Sequence, residues 1–329
     1  MNPGEREFFV EAIDGTRLYT HTRVATSDLV PSNLPPSVLA SSTDAALNQT
    51  AHAKRPTLVL CDGLCCDGFI YKYLWDDLAR LGPVAHFHYR GHGRSELPQD
   101  PTRIDVPALA QDLLTVLEHL ETDQVVLLGH SLGTQVALEA YRQRPEAVRA
   151  LVLICGSFGR VTHTFKGSNL LATVLPDLID WATRHPKFAR ALWARVPVNV
   201  ALRVAGLMGD INIRAVRVED VAPYFQHVIH VDFEMFLRML KCAGEHSAED
   251  LLPHVNVPTL VIAGGRDTIT PADLSKAMRD AIPNAKLFLI PEGTHIAPLE
   301  HRQAIADAIQ GFLNESAVLP TGGAALQDQ

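Results

Sequence analysis

The chain is poor in cysteine and has none in a recognisable pattern. Cys61, Cys65, Cys66, Cys155 and Cys242 are five in 329 residues, an odd number at irregular spacing. That argues against a disulfide framework and for a reducing compartment. Positive charge is also in short supply: 29 Lys and Arg stand against 37 Asp and Glu, a formal net charge of −8. The deficit excludes broad nucleic-acid binding, which needs a basic surface, and it speaks against attraction to an anionic membrane surface. No apolar run approaches the roughly 20 residues of a membrane span. The stretch Met1-Asn2-Pro3-Gly4-Glu5-Arg6-Glu7 lacks the basic and apolar regions of a secretory leader, so a cytoplasmic location is expected. There is neither a phosphate loop nor a G-x-G-x-x-G after a strand, so no nucleotide cofactor is expected.

What is present is ordinary globular material. The composition is 47% hydrophobic and 20% charged, and the length is enough to bury a continuous core. Residues 8–13 and 17–24 read as strands around an Asp14-Gly15 hairpin turn. Residues 25–54, rich in Ser, Pro, Ala and Asn, read as a surface loop. Short apolar runs at 57–61, 84–88, 125–128, 151–154, 260–263 and 287–290 have the texture of strands buried on both faces. Amphipathic stretches separate most of them. The clearest is 105–121, where Leu109, Leu113, Val116, Leu117 and Leu120 share a face, with Asp105 as its cap and Pro107 in its first turn. This alternation predicts an α/β protein with a doubly wound, mostly parallel sheet. Between 156 and 253 the alternation stops and helices are expected over 170–185, 186–205, 218–230 and 232–243. Such a block, set between two strands, reads as a cap. The expected organisation is a core of 1–156 and 251–315, a helical cap of 157–250, and a loose tail of 316–329.

One motif carries chemistry. Val125-Val126-Leu127-Leu128 runs into Gly129-His130-Ser131-Leu132-Gly133 and then a helical stretch over 135–144. Strand, G-x-S-x-G, helix is a nucleophile elbow. The serine sits on a sharp, strained turn at a helix N-terminus, and any side chain at 129 or 133 would collide with the helix or the next strand. The positive end of that helix leaves the Leu132 N–H free for an oxyanion. A serine hydroxyl needs a base, and a base needs an orienting acid. Asp267 follows the run 260–263 and a glycine turn; His295 follows the run 287–290. Both stand just past strand C-termini, in the order serine, acid, histidine. Ser131, Asp267 and His295 are therefore the candidate catalytic residues. Asp273 and Asp280 fall within a following helix, and His301 within a last helix over 300–312. The loop after 57–61 should supply the second oxyanion donor, the Leu64 N–H, with Gly63 letting the backbone approach the substrate.

These residues resemble the α/β-hydrolase superfamily, in the branch with a helical cap. The resemblance spans residues 8–313. It rests on Gly129–Gly133, on Tyr89-Arg90-Gly91-His92-Gly93-Arg94-Ser95, on Gly264–Asp267 with Pro271, and on Gly293-Thr294-His295 with Glu300. It implies the α/β-hydrolase fold and a serine hydrolase. Some relatives carry the acid after the strand that here is 151–154, but Cys155–Gly159 contains no carboxylate. Relatives usually begin the oxyanion loop with His-Gly; here it is Asp62-Gly63. A carboxylate close to an oxyanion is unfavourable, so Asp62 should point away or be paired. Relatives also usually carry an acid where this chain has His88.

Ser131 in place of an aspartate disfavours epoxide hydrolase and haloalkane dehalogenase chemistry. The lack of proline in 63–68 disfavours cofactor-free haloperoxidases. The expected reaction is hydrolysis of an ester with a small-to-medium apolar acyl or alkyl group, through an acyl-enzyme. Lactone, thioester or carbon–carbon bond hydrolysis by the same residues is the alternative, and a non-catalytic ligand receptor on the same scaffold is the alternative of another class. The apolar cap suits a dry pocket, with Phe158, Phe165 and Leu170 as candidate walls. The expected partner is a small molecule. His86, His88 and His92 suggest a metal, but no further ligand falls at a natural spacing, so no metal is expected. Cys61, Cys65 and Cys66 read as small packing residues.

Overall fold

A computed structural model describes residues 4–25, 55–195, 197, 203, 206, 211–212 and 215–319. Most of the 25–54 loop and residues 320–329 of the tail lie outside the described residues.

Eight strands form one sheet in the order β1-β2-β4-β3-β5-β6-β7-β8. They are β1 (Glu5–Glu11), β2 (Arg17–Arg23), β3 (Thr57–Cys61), β4 (Val84–Phe87), β5 (Val125–His130), β6 (Val148–Ile154), β7 (Thr259–Gly264) and β8 (Lys286–Ile290). β1 and β2 form an antiparallel hairpin and β2 is antiparallel to β4; all other pairings are parallel. The expected mostly parallel sheet is present. The first strand starts and ends earlier than expected: Ile13 belongs to the turn and is 72% exposed.

The continuous apolar runs follow from burial on both faces. Val125 and Leu127 of β5 join one core with α2 (Val106–His119) and α3 (Leu132–Gln143). Val126 and Leu128 join the other, with α1 (Leu74–Leu81) and the last helix. Asp105 caps α2 by accepting from the Ala108 N–H at 2.9 Å. The interior of α2 also holds Asp112, which grips the fully buried Arg90 through two hydrogen bonds, at 2.7 and 2.5 Å; Asp14 of the hairpin turn takes a third at 2.8 Å. The Arg-Gly-His-Gly run thus ties hairpin, sheet and helix together. Removing one partner of such a buried pair costs about 3–5 kcal/mol.

Between β6 and β7 the described chain is helical: α4 (Val161–Thr164), α5 (Leu170–Arg184), α6 (Pro186–Trp193), α7 (Val218–Val228) and α8 (Phe233–Glu245). α6 ends at Trp193, with Ala194 and Arg195 in a turn; most of the rest of the helix expected to 205 lies outside the described residues. After β7 come α9 (Ala272–Ala281), α10 (Ala297–Glu300) and α11 (Arg302–Glu315). The last helix, expected over 300–312, is α11: it starts two residues later, after its cap His301, and a separate short helix, α10, ends at Glu300. None of the described helices is long and apolar enough to cross a membrane.

Candidate active site

The turn between β5 and α3 puts Ser131 at φ 55° and ψ −117°, a backbone that L-residues rarely adopt. α3 starts at Leu132, directly after the serine, not at 135 as the sequence suggested. The flanking glycines explain how the turn closes. A Cβ on Gly129 would lie 2.3 Å from the Gly133 carbonyl oxygen, and one on Gly133 would lie 2.0 Å from that of Cys61, on the neighbouring strand. The Ser131 N–H donates to the Ile154 carbonyl at 3.1 Å, fastening the turn to the end of β6. Leu132 opens the helix, so its N–H has no intrahelical acceptor.

Asp267 and His295 meet at the same edge of the sheet. His295 Nδ1 is 2.9 Å from Asp267 Oδ2. Asp267 is 5% exposed and accepts three more hydrogen bonds: from the Ile269 and Thr270 N–H groups, both at 2.9 Å, and from the Thr270 hydroxyl at 2.8 Å. Burial pushes the Asp267 carboxyl up, but the adjoining His295 ring and the Thr270 donors outweigh it and hold the group below its ordinary range. The acid is therefore ionised at neutral pH and can orient the imidazole and balance its charge.

Two further contacts fix the histidine. His130 Nε2 is 2.9 Å from the His295 carbonyl oxygen. Glu300 accepts from the Thr294 N–H at 2.7 Å and from the Thr294 hydroxyl at 2.6 Å, clasping the loop from the other side. Thr270, also 2.8 Å from the Cys155 carbonyl oxygen, connects the Asp267 loop to the end of β6. Ser131, Asp267 and His295 are thus joined through β6 and through His130. Sequence reasoning missed Thr270 and His130. The only available signals were a hydroxyl three residues after the acid and a histidine at the variable position of G-x-S-x-G.

The loop after β3 lies against the serine. A Cβ on Gly63 would be 3.2 Å from Ser131 Cβ, from His130 Nδ1 and from Cys66 Sγ. Asp62 is paired: its Oδ2 accepts from the Gly68 N–H at 2.9 Å and lies 2.7 Å from His86 Nε2. It pins both ends of the loop that carries Leu64. Beneath the loop is a cavity of about 340 Å³ lined by residues including His21, His86, His88, Trp75 and Lys72; none of Ser131, Asp267 and His295 lines it.

The remaining candidates are placed as follows. Phe158 is half-buried and packs on the core. Phe165 is half-buried, in a segment whose Lys166 N–H donates to the Thr268 carbonyl at 3.1 Å, beside Asp267. Leu170 is 64% exposed, while the same helix buries Leu175, Ile179 and Ala182. His88 Nδ1 accepts from the Arg94 N–H at 2.8 Å, and burial pulls this ring down to about 2. Among the described residues no group of three or more His, Cys, Asp or Glu is arranged to hold a metal ion. Cys61, Cys65, Cys66 and Cys155 are buried free thiols, and burial pushes each above its ordinary range, away from the reactive thiolate.

A family model described as alpha/beta hydrolase fold matches residues 56–302. The chain is 30% identical over 273 residues to the polyketide synthase ThaQ of Burkholderia thailandensis, covering 82% of this chain but only 12% of that far longer protein. It is 29% identical over 276 residues to a putative carbamate hydrolase, RutD, of Pseudomonas savastanoi pv. phaseolicola, covering 82% of this chain and 97% of the relative. Among solved structures, a hydrolase from Pseudomonas aeruginosa PA01 superposes with a TM-score of 0.67 at 23% identity, over 95% of this chain and 99% of that one. At that identity the likeness speaks to the fold.

Proposed function

The chain belongs to the α/β-hydrolase fold family, and on that premise we propose that it is a serine hydrolase working through Ser131, Asp267 and His295. The observation that carries the reading is the strained Ser131 turn at the start of α3, tied through His130 to a histidine that is itself held 2.9 Å from a buried, ionised aspartate.

In this reading His295 takes the Ser131 proton as the oxygen attacks an acyl carbon. Asp267 keeps the proton-accepting nitrogen, Nε2, turned to the serine and stabilises the imidazolium. The Leu132 and Leu64 N–H groups receive the oxyanion, each worth about 10²–10³ in kcat. The imidazolium returns its proton to the leaving alcohol, and a water repeats the sequence on the acyl-enzyme. Reaction at the acyl carbon suits an ester with an apolar group of small to medium size, since the helical block beside the site is rich in apolar residues. The test is hydrolysis of p-nitrophenyl esters from acetate to palmitate, beside Ser131→Ala purified identically. The proposal expects activity that peaks at one chain length and is lost in the variant; equal activity in both would reject it.

A carbamate is the second substrate class to try, because the similarity to a putative carbamate hydrolase runs over 97% of that relative. The same residues would act, with the carbamoyl carbon as the site of attack. Carbamate turnover that exceeds every ester would favour this reading.

A further inference from the structure

Helix α5 has two apolar faces. One, with Leu175, Ile179 and Ala182, is buried. On the adjoining face Leu170, Val174 and Leu178 are 64%, 44% and 36% exposed. Their every-fourth-residue spacing makes one stripe along the helix. Helix α6 extends it: Phe188 is 64% and Leu192 57% exposed, and Phe188 meets Trp181 of α5 edge-on, ring centroids 6.0 Å apart. These five are half of the ten large apolar side chains exposed among the described residues, and they sit on two consecutive helices. Single exposed apolar residues are normal; a gathered patch marks an interaction surface.

The charge beside the patch is opposite to that of the chain. Residues 181–195 contain Arg184, Lys187, Arg190 and Arg195 and no Asp or Glu, in a chain of net charge −8. All four cations are exposed. The acidic neighbours on α5 are Asp177 and Asp180, and Asp180 pairs with Arg184 at 3.0 Å.

We propose that this face of α5 and α6 docks on an anionic lipid bilayer. Apolar side chains flanked by cations on a helix surface are what interfacial binding requires: the first enter the acyl boundary while the second meet lipid phosphates. The whole-chain charge, which speaks against such a surface, does not describe this one. A second copy is the poorer occupant, because a two-fold contact would set the two cation clusters against each other. The position also has a consequence. α5 starts four residues after Lys166, whose N–H is bonded to Thr268 beside Asp267. Docking would bring the edge of the proposed active site to the membrane, where apolar esters partition; only this last step rests on the proposed function.

The test is co-sedimentation of the full chain with vesicles of phosphatidylcholine alone and of phosphatidylcholine mixed equally with phosphatidylglycerol. Sedimentation with the mixed vesicles is expected, and weaker sedimentation with the neutral ones. Lys187→Glu with Arg190→Glu should lower binding to mixed vesicles by more than the roughly fivefold that each cation contributes. Phe188→Ser with Leu192→Ser should abolish it. All four side chains are exposed, so circular dichroism and thermal midpoint should stay near wild type. Absence of wild-type binding to mixed vesicles overturns the proposal, as does binding indifferent to both double variants. A concentration-dependent dimer, broken by Phe188→Ser with Leu192→Ser and without vesicle binding, assigns the face to a second copy instead. Because binding is read without substrate, Ser131→Ala should sediment like wild type. Failure of the esterase reading and failure of docking are therefore separable.

Discussion

His130 donates its Nε2 hydrogen to the backbone carbonyl of His295 across 2.9 Å. One ring thereby couples the residue before the candidate nucleophile to the candidate base. Burial pulls His130 down to about 4 from 6.5, so the ring is neutral in the fold, with its one N–H committed to this bond.

A pH dependence of stability follows. In the unfolded chain His130 takes up a proton below about pH 6.5, while the folded ring stays neutral until about 4. His92, buried, follows the same course to about 4, and His88 to about 2. Their joint contribution is whole above pH 6.5 and is lost as pH falls from there, down to about 4 for His130 and His92 and on toward 2 for His88. The thermal midpoint should drop across that window, and His130→Gln should flatten part of the slope while costing about 1–3 kcal/mol at neutral pH from the disturbed buried hydrogen bond.

Asp267 and Thr270 should be distinguishable kinetically. Asp267→Asn keeps the shape but loses the charge that orients and balances His295, so kcat should fall by about 10³–10⁴ with KM little changed. Thr270→Val removes a hydroxyl that lies 2.8 Å from both Asp267 and the Cys155 carbonyl. A fall of about tenfold in kcat is expected, restored by Thr270→Ser. Steady-state kinetics on the best ester checks both.

Asp62 is expected to act on the site only through the loop it pins. Asp62→Ala frees the Gly68 N–H and His86 and should lower kcat by up to about 10², the lower bound for one oxyanion donor. Asp62→Asn retains an acceptor for the Gly68 N–H and should lose less. Equal activity in wild type and Asp62→Ala would detach this residue from the chemistry.

Gly133→Ala should not yield folded protein in normal amounts. Its Cβ would sit 2.0 Å from the Cys61 carbonyl oxygen, a backbone atom that cannot swing away. The cost is on the order of 3 kcal/mol or more, readable as soluble yield and thermal midpoint.

Much of this was legible in the sequence because it rests on local patterns. Runs such as Val125–Leu128 announce strands buried on two faces, and G-x-S-x-G announces a turn that only glycine permits. Asp267 and His295 were legible because the sheet places both just after strands. What was hidden depends on tertiary contact. Nothing near Thr270 in the chain says that its hydroxyl bridges to Cys155, 115 residues away, and nothing near His130 says that it reaches His295. The start of α3 was set too late because the serine turn resembles a loop, and the last helix was begun at 300 because nothing in the sequence separates the short α10 from it at His301. Which of the two apolar faces of α5 turns inward was equally hidden: Leu175, Ile179 and Ala182 are buried and Leu170 is exposed.

The central claim is that Ser131 is the nucleophile. Intact-mass spectrometry after brief exposure to a fluorophosphonate, with peptide mapping, tests it most directly. The account predicts one adduct on Ser131, absent from Ser131→Ala and formed far more slowly in His295→Ala. No adduct, or one elsewhere that persists in Ser131→Ala, would contradict it.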